Sequence, residues 1–124
     1  MKNQINTANA PGAIGPYSQA IDTGSMVFAS GQLPIDPATG AMPADITMQT
    51  RQSLTNAKAI LESAGLSMDN VVKTTVYLSD MADFTAMNAV YETFFQSPFP
   101  ARSAIAVKTL PKNALVEIEV IAVR

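Results

Sequence analysis

The chain contains no cysteine and no histidine among its 124 residues. Without cysteine it cannot form a disulfide, a thiolate zinc site, an iron–sulfur cluster or a thiol nucleophile. Without histidine, a Ser-His-Asp triad and nearly all catalytic zinc sites are excluded as well. An EF-hand loop, a phosphate loop and a dinucleotide-binding glycine pattern are also missing. The sequence therefore predicts chemistry without metal or cofactor, in which Asp, Glu, Tyr, Lys or water moves protons.

Charged residues are scarce too. They make up 15% of the chain, against 48% hydrophobic residues, and the net charge is −2. The surface of a small monomer is usually about 25–35% charged, so we expect part of the apolar excess to lie between subunits. Lysine and arginine are scattered in a net acidic chain, which argues against a nucleic-acid partner. With no signal peptide and no membrane-spanning run, we expect a cytoplasmic protein without a membrane partner.

The residue patterns predict one α+β domain with a sheet of five or six strands. Strands are expected over residues 18–22, 26–32, 71–78, 102–107 and 114–123. One helix should begin at Asp45 or Thr47 and end at Gly65, with an apolar stripe of Leu54, Ala57, Leu61 and Ala64. Another should begin at Asp80 or Asp83 and end before Pro98, with an apolar stripe of Phe84, Met87, Tyr91 and Phe94. Two helices cannot cover both faces of such a sheet, so both are expected on one face.

The last predicted strand indicates an assembly. One set of alternating residues should face the helices: Val116, Ile118, Val120 and Ala122. The opposite set is far more apolar than a solvated strand face: Leu115, Glu117, Glu119, Ile121 and Val123. A second copy of the chain is the natural cover for that face, so we expect an oligomer. The pattern alone does not give the number of subunits.

Four short motifs occur in order along the chain. They are Gly15-Pro16-Tyr17-Ser18-Gln19-Ala20, Ser30-Gly31-Gln32-Leu33-Pro34, Pro100-Ala101-Arg102-Ser103, and Leu110-Pro111-Lys112 followed by Val116-Glu117-Ile118-Glu119. Together they resemble the RidA/YjgF family, whose members have also been described as L-PSP endoribonucleases or translation initiation inhibitors. The resemblance runs from about residue 9 to residue 124 and implies a single RidA-like domain over residues 1–124.

The resemblance implies a fold and an activity. The fold would be chorismate-mutase-like (bacillary type), with a mixed sheet and two helices on one of its faces. Three such sheets would form the barrel of a homotrimer, with a ligand cleft at each subunit interface. The activity would be hydrolytic deamination of 2-imino and enamine acids, such as 2-iminobutanoate and 2-iminopropanoate, to 2-oxo acids and ammonia. Such an activity protects PLP enzymes from reactive enamines and uses no cofactor.

The resemblance also implies roles for particular residues. Arg102 would bind the substrate carboxylate, which its planar fork of donors matches in a bidentate manner. Glu117 would hold the water that attacks the imine carbon. The rest of the cleft would be formed by Tyr17, Ser30, Gly31, Asn88 and Ala104. Plainer interpretations are a structural ion pair for Arg102, an interface ion pair for Glu117, a bulge at Gly31 and an ordinary helix position for Asn88.

Two departures and two alternatives bear on this prediction. Ala104 stands where many family members have cysteine, and residues 96–99 form a shorter segment than in many members. Alternation places Glu117 and Glu119 on one strand face, so periodicity does not decide which of them holds the water. The alternative functions are a non-catalytic trimeric binder of 2-oxo acids or amino-acid derivatives, and an endoribonuclease. The latter has little physical support in an acidic chain without histidine.

Overall fold

The computed structural model describes residues 2–124. Six strands are present: β1 (Asn3–Ile5), β2 (Ala20–Asp22), β3 (Met26–Ala29), β4 (Val71–Leu78), β5 (Ala101–Ala106) and β6 (Val116–Val123). They form one mixed sheet in the order β1-β2-β3-β6-β4-β5, in which only the β4–β5 pair is parallel. The helices are α1 (Ile46–Ser63) and α2 (Phe84–Tyr91). The predicted α+β class with a mixed sheet is confirmed.

Helix α1 has the ends that the sequence predicts. The Asp45 side chain caps it by accepting a hydrogen bond from the Met48 backbone N–H at 2.8 Å. Gly65 follows the last turn with φ = +78°, a left-handed conformation that favours glycine. The predicted apolar stripe is fully buried at Leu54 and Leu61. Helix α1 therefore packs one face against the sheet and presents the other outward.

The second helix is shorter than its apolar pattern suggested. Asp80 caps a 3-10 turn, Met81–Asp83, and α2 follows directly. The chain then tightens into another 3-10 turn, Glu92–Phe94, ahead of two prolines. The α-helix therefore ends at Tyr91, and Phe94, the last residue of the predicted stripe, lies in the 3-10 turn. The chain enters extended backbone where prolines disfavour a helix.

Both helices lie on the same face of the sheet, as predicted. The inward residues of β6 are at most 1% exposed: Val116, Ile118, Val120 and Ala122. Thr74 is the register partner of Val120, and its hydroxyl is hydrogen-bonded at 2.7 Å to the Tyr91 hydroxyl of α2. We call the opposite face, which carries Glu117 and Glu119, the open face. Neither helix of residues 2–124 is long and apolar enough to span a membrane.

The edge of the sheet differs from the prediction. Strand β1, paired with β2, was not expected, because only Ile5 of its three residues is buried and no alternation marks it. Strand β3 ends at Ala29 rather than at Gln32. Gln32 nevertheless returns to the sheet as an isolated bridge to Ile118. The chain thus leaves the sheet for two residues, Ser30 and Gly31, and comes back.

Asn56 of α1 holds the chain after this gap. Its Nδ2 donates hydrogen bonds to the carbonyls of Leu33 at 3.0 Å and Ile35 at 2.9 Å. Its Oδ1 accepts one from Gln52 at 2.9 Å, and the side chain is fully buried. Because residues 33–35 have no strand partner, the amide supplies the hydrogen bonds that a sheet would otherwise provide. The helix layer thus positions the loop beside Gly31.

We expect Asn56→Ala to lower the free energy of unfolding by at least about 2 kcal/mol, because each buried polar group left unpaired costs about 1–3 kcal/mol. Urea unfolding followed by circular dichroism would measure it. Thr55→Ala, at the exposed neighbouring position, is the control and should change stability by no more than about 0.5 kcal/mol. Equal losses in the two variants would contradict this role for Asn56.

Candidate functional site

The first group of predicted site residues lies where β3 leaves the sheet. The Ser30 backbone N–H donates to the Gln19 carbonyl at 2.9 Å, and its hydroxyl donates to the Ser18 carbonyl at 2.7 Å. A cavity of about 590 Å³ opens at this point, and its walls include Tyr17, Ser30, Gly31 and Glu117. We call these four residues the acid half-site. The motif that contains Tyr17 and the motif that contains Ser30 and Gly31 thus lie beside the start of β6.

Gly31 and Glu117 approach each other closely. A β-carbon placed on Gly31 would overlap Oε2 of Glu117 and lie 2.9 Å from its Cδ. Real side chains do not approach so closely, so any residue larger than glycine would displace the carboxylate. The family resemblance placed Gly31 in the ligand cleft. In the structure, the space left by the missing side chain holds the carboxylate of Glu117.

The surroundings of Glu117 make its carboxylate a stronger base than usual. Burial raises the pKa of Glu117, and the nearby charge of Glu119 raises that pKa further. Glu119 itself accepts a hydrogen bond from the Tyr77 hydroxyl at 2.9 Å. Within residues 2–124 no three acidic side chains cluster as a metal site would require. The arrangement is suited to taking a proton from water.

Gln19, which the sequence analysis did not single out, builds a wall of the same cavity. Its side chain is almost fully buried and spans the N-terminal loop. Nε2 donates to the carbonyls of Thr7 at 3.0 Å and Pro11 at 2.8 Å, while Oε1 accepts from the Thr7 N–H at 2.7 Å. Gln19 lies in the same sequence motif as Tyr17, and this was the feature of the sequence that could have indicated its place at the site. Gln19 thereby fixes the loop over the acid half-site.

The second group lies on the helix-covered face. Arg102 Nη1 donates to Asn88 Oδ1 at 2.7 Å, and a cavity of about 410 Å³ opens beside them. Ala104 is partly buried against the core, on the same side of β5 as Arg102. We call Arg102, Asn88 and Ala104 the arginine half-site.

Aromatic rings hold the arginine in place. The guanidinium carbon of Arg102 lies 4.7 Å from the ring centroid of Tyr91 and 5.4 Å from that of Phe84. Tyr91 is in turn fixed by its hydrogen bond to Thr74 and by its ring contact with Phe95, 4.7 Å between centroids. In the sequence, Tyr91 stands out only as part of the apolar stripe of a helix. The structure shows that it also supports the guanidinium.

The two half-sites lie on opposite faces of the sheet. Arg102 is the register partner of Thr74, which is fully buried under the helices. Glu117 is the register partner of Tyr77, which lies on the open face. The two residues line different cavities, and strand β4 runs between their strands. Within one chain, Arg102 and Glu117 therefore do not face a common substrate.

Known proteins resemble this chain over its full length. A 2-iminobutanoate/2-iminopropanoate deaminase from Salmonella typhimurium is 55% identical, with 100% of this chain and 99% of the relative covered. The protein of the same name from Escherichia coli K12 is 54% identical with the same coverage. Among solved structures, E. coli TdcF with bound serine superposes with a TM-score of 0.97 at 52% identity, covering 99% of both chains.

The product of the E. coli YjgF gene is similar as well, with a TM-score of 0.95 at 54% identity and 98% of both chains covered. A family model described as endoribonuclease L-PSP matches residues 7–124. The match covers both half-sites and all of the sheet except β1. With the family model and full-length relatives in agreement, the chain belongs to the RidA/YjgF family, whose model bears the endoribonuclease L-PSP description.

Proposed function

We propose that this protein hydrolyses 2-imino acids and their enamine tautomers, such as 2-iminobutanoate and 2-iminopropanoate, to 2-oxo acids and ammonia. The observation that carries the proposal is the presence of two complementary half-sites. One presents a guanidinium fixed by aromatic rings, and the other presents a half-buried carboxylate of raised pKa. Relatives more than half identical to the chain are named for this reaction. The activity would remove electrophiles that damage PLP enzymes.

Arg102 binds the substrate carboxylate in this proposal. A guanidinium has five N–H donors, and Asn88 takes one from Nη1, which leaves the others for a bidentate contact. The rings of Tyr91 and Phe84 hold the guanidinium plane, so little side-chain freedom is lost when the substrate binds. The neighbouring Ala104 offers its backbone to the ligand where many family members have a thiol.

Glu117 activates the attacking water. When an imine is protonated on its nitrogen, its carbon is electrophilic. Glu117 takes a proton from water as the water oxygen bonds to that carbon. The proton then passes from Glu117 to the amino group of the tetrahedral intermediate. As the C–N bond breaks and ammonia leaves with the bonding electron pair, the hydroxyl of the intermediate gives its proton to Glu117 and the carbonyl of the 2-oxo acid forms. The released ammonia takes that proton as ammonium, which leaves Glu117 ionised again. A carboxylate of raised pKa takes up this proton more readily. Tyr17, Ser30 and Gly31 enclose the substrate on this side.

Assembly joins the two half-sites. The open face exposes Phe28 and Ile105, at 43% and 49%, which is unfavourable in water. We infer a homotrimer with a chorismate-mutase-like barrel of three sheets, in which this face is covered. In a closed ring, the same head-to-tail contact repeats, so the arginine half-site of one subunit meets the acid half-site of the next. Each trimer then has complete sites only between chains.

A coupled assay tests the activity. A threonine dehydratase generates the enamine, and semicarbazide traps whatever is not hydrolysed. We expect the wild-type protein to suppress the trapped product. Arg102→Lys keeps the positive charge but loses the planar fork, so kcat/KM should fall at least about 30-fold, in line with about 2–5 kcal/mol for a truncated charge pair.

Arg51→Lys makes the same change on the exposed side of α1 and should retain activity. Wild-type protein that binds 2-oxobutanoate without suppressing the trapped product would indicate the non-catalytic binder instead.

Mixing two inactive variants tests the shared site. When Arg102→Lys and Glu117→Gln subunits are unfolded together and refolded in equal amounts, about a quarter of the sites should contain two intact half-sites. Activity should therefore return to about a quarter of the wild-type value, with light scattering at three times the chain mass. Refolding Arg102→Lys with Arg102→Ala is the control and should restore nothing. No recovery from the first mixture, despite trimer formation, would place the whole site within one chain.

The raised pKa of Glu117 also predicts a pH-dependent stability. Below the ordinary glutamate pKa of about 4.3, the carboxyl is neutral in the folded and unfolded states and costs nothing. As pH rises from that value to the raised folded-state pKa, the unfolded chain loses its proton first, so the buried carboxyl increasingly disfavours folding; above the folded-state pKa the cost is complete. Glu117→Gln should therefore raise Tm at pH 7 and change it little at pH 4. Exposed Glu62→Gln is the control, and calorimetry showing the same pH trend for both would contradict the effect.

A further inference from the structure

The open face carries a group of three side chains that the proposed reaction uses only in part. Tyr77 lies opposite Glu117 in the β4–β6 register, and Thr75 lies opposite Glu119. The Tyr77 side chain nevertheless reaches diagonally to Glu119, with 2.9 Å between its hydroxyl and Oε1. Glu119 is thus held at a fixed position next to the candidate base.

We propose that Glu119, held by Tyr77, is a positioning residue that keeps a negative charge beside Glu117. This charge makes Glu117 a stronger base in imine hydrolysis than it would be without Glu119. The inference rests on the proposed function, because it assigns Glu119 a part in that reaction. Glu119 acts through Glu117 and does not itself contact the substrate.

The geometry makes the two carboxylates unequal. They lie on the same side of β6, two residues apart, which separates their β-carbons by about 7 Å. Two carboxylates so close resist being ionised together. A proton that binds to the pair therefore goes to the carboxylate that accepts fewer hydrogen bonds. Glu119 has the Tyr77 hydroxyl as a donor, whereas within residues 2–124 no hydrogen bond reaches the Glu117 side chain. The proton therefore goes to Glu117.

The pKa shifts agree with this direction. Burial is the largest cause that raises the pKa of Glu117, and the charge of Glu119 is the second. The hydrogen bond to Glu119 is the largest cause that raises the pKa of Tyr77. Tyr77 therefore keeps its proton at neutral pH and remains a donor. Its hydrogen bond supports the charge that acts on Glu117.

Other ionisable groups near Glu117 do not supply this negative charge. Tyr17 and Lys112 line the same cavity, from the N-terminal loop and from the turn before β6. Lys112 is exposed, so water and salt screen its charge. Lys73 lies on the open face of β4, but its Nζ donates to the Ser103 hydroxyl at 3.1 Å, on the side of β5. Glu119 is the negative charge that remains.

The acid limb of the pH profile tests the inference. Glu119→Gln removes the charge but keeps an oxygen that can accept from Tyr77. The midpoint of the acid limb of kcat/KM should fall by about 0.4–1.7 pH units, the range for unit charges about 7 Å apart at effective dielectric constants of roughly 80 to 20. A merely structural hydrogen bond would change the rate or the stability without moving this midpoint.

Three further variants separate the effect of the Glu119 charge from other effects of the substitution. Glu119→Asp keeps the charge and should hold the midpoint near the wild-type value. Glu62→Gln removes one exposed carboxylate from the outer side of α1 and should leave the midpoint unchanged. Tyr77→Phe keeps every charge but removes the donor, so the proton is shared between the two carboxylates. It should move the midpoint in the same direction as Glu119→Gln but less, and it serves as the test if Glu119→Gln does not assemble.

Carboxyl carbon NMR gives a readout that needs no turnover. The chain has only four glutamates, Glu62, Glu92, Glu117 and Glu119, so the Glu117 signal can be assigned by its loss in Glu117→Gln. Its titration midpoint should fall in Glu119→Gln. An active wild type whose Glu119→Gln variant keeps both the kinetic and the NMR midpoint would overturn this inference alone. An inactive wild type would instead overturn the proposed function.

Discussion

The carboxylate of Glu117 occupies the space where residue 31 would otherwise have a side chain, and much of the structure serves this close approach. Strand β3 must leave the sheet before Gly31 and return at Gln32, so that the carboxylate enters the gap. Asn56 must hold the loop that follows, because no strand pairs with it. The result is a carboxylate that is partly removed from water yet open to a cavity. Such a group has a raised pKa and is useful as a base.

The sheet divides the chemistry between its two faces. The guanidinium of Arg102 lies on the helix-covered face, where α2 provides the rings of Tyr91 and Phe84. The carboxylate of Glu117 lies on the open face, away from that positive charge. Direct contact between the two groups would form an ion pair that competes with the substrate and lowers the pKa of the Glu117 carboxyl. Within one chain this separation leaves neither group as an ion-pair partner of the other, and the trimer proposed above would bring them to opposite ends of one substrate.

The sequence predicted those elements that local residues determine. Asp45 and Gly65 set the ends of α1, and alternation along β6 gave the buried face correctly. Three features depended on tertiary contacts instead and were missed: strand β1, the break after Ala29 and the early end of α2. Strand β1 pairs at an edge with little burial. The break after Ala29 is stabilised by Asn56, which lies far along the chain.

The placement of the site residues shows the same limit. The family resemblance identified Arg102, Asn88, Glu117 and Gly31, and each lies in one of the two half-sites. Period-two alternation tells which residues of one strand share a face, but it cannot relate the faces of two strands without their register. The register here includes a shift between Val71 and Lys73. The division of Arg102 and Glu117 between opposite faces therefore had to come from the structure.

The charge distribution bears on the two activities after which members of the family are named, imine deamination and endoribonuclease cleavage. A ribonuclease binds a polymer of phosphates, and its site gathers positive charge to neutralise them. This chain has a net charge of −2, no histidine, and two carboxylates side by side on the open face. The arginine half-site offers one guanidinium with one partner amide, which suits a single carboxylate group. In the trimer proposed above, a second anionic group would meet Glu117 or Glu119 and be repelled. A small 2-imino acid, with one carboxylate and a cationic imine nitrogen, would fit both half-sites of that trimer, with its negative end at Arg102 and its positive end at the acids.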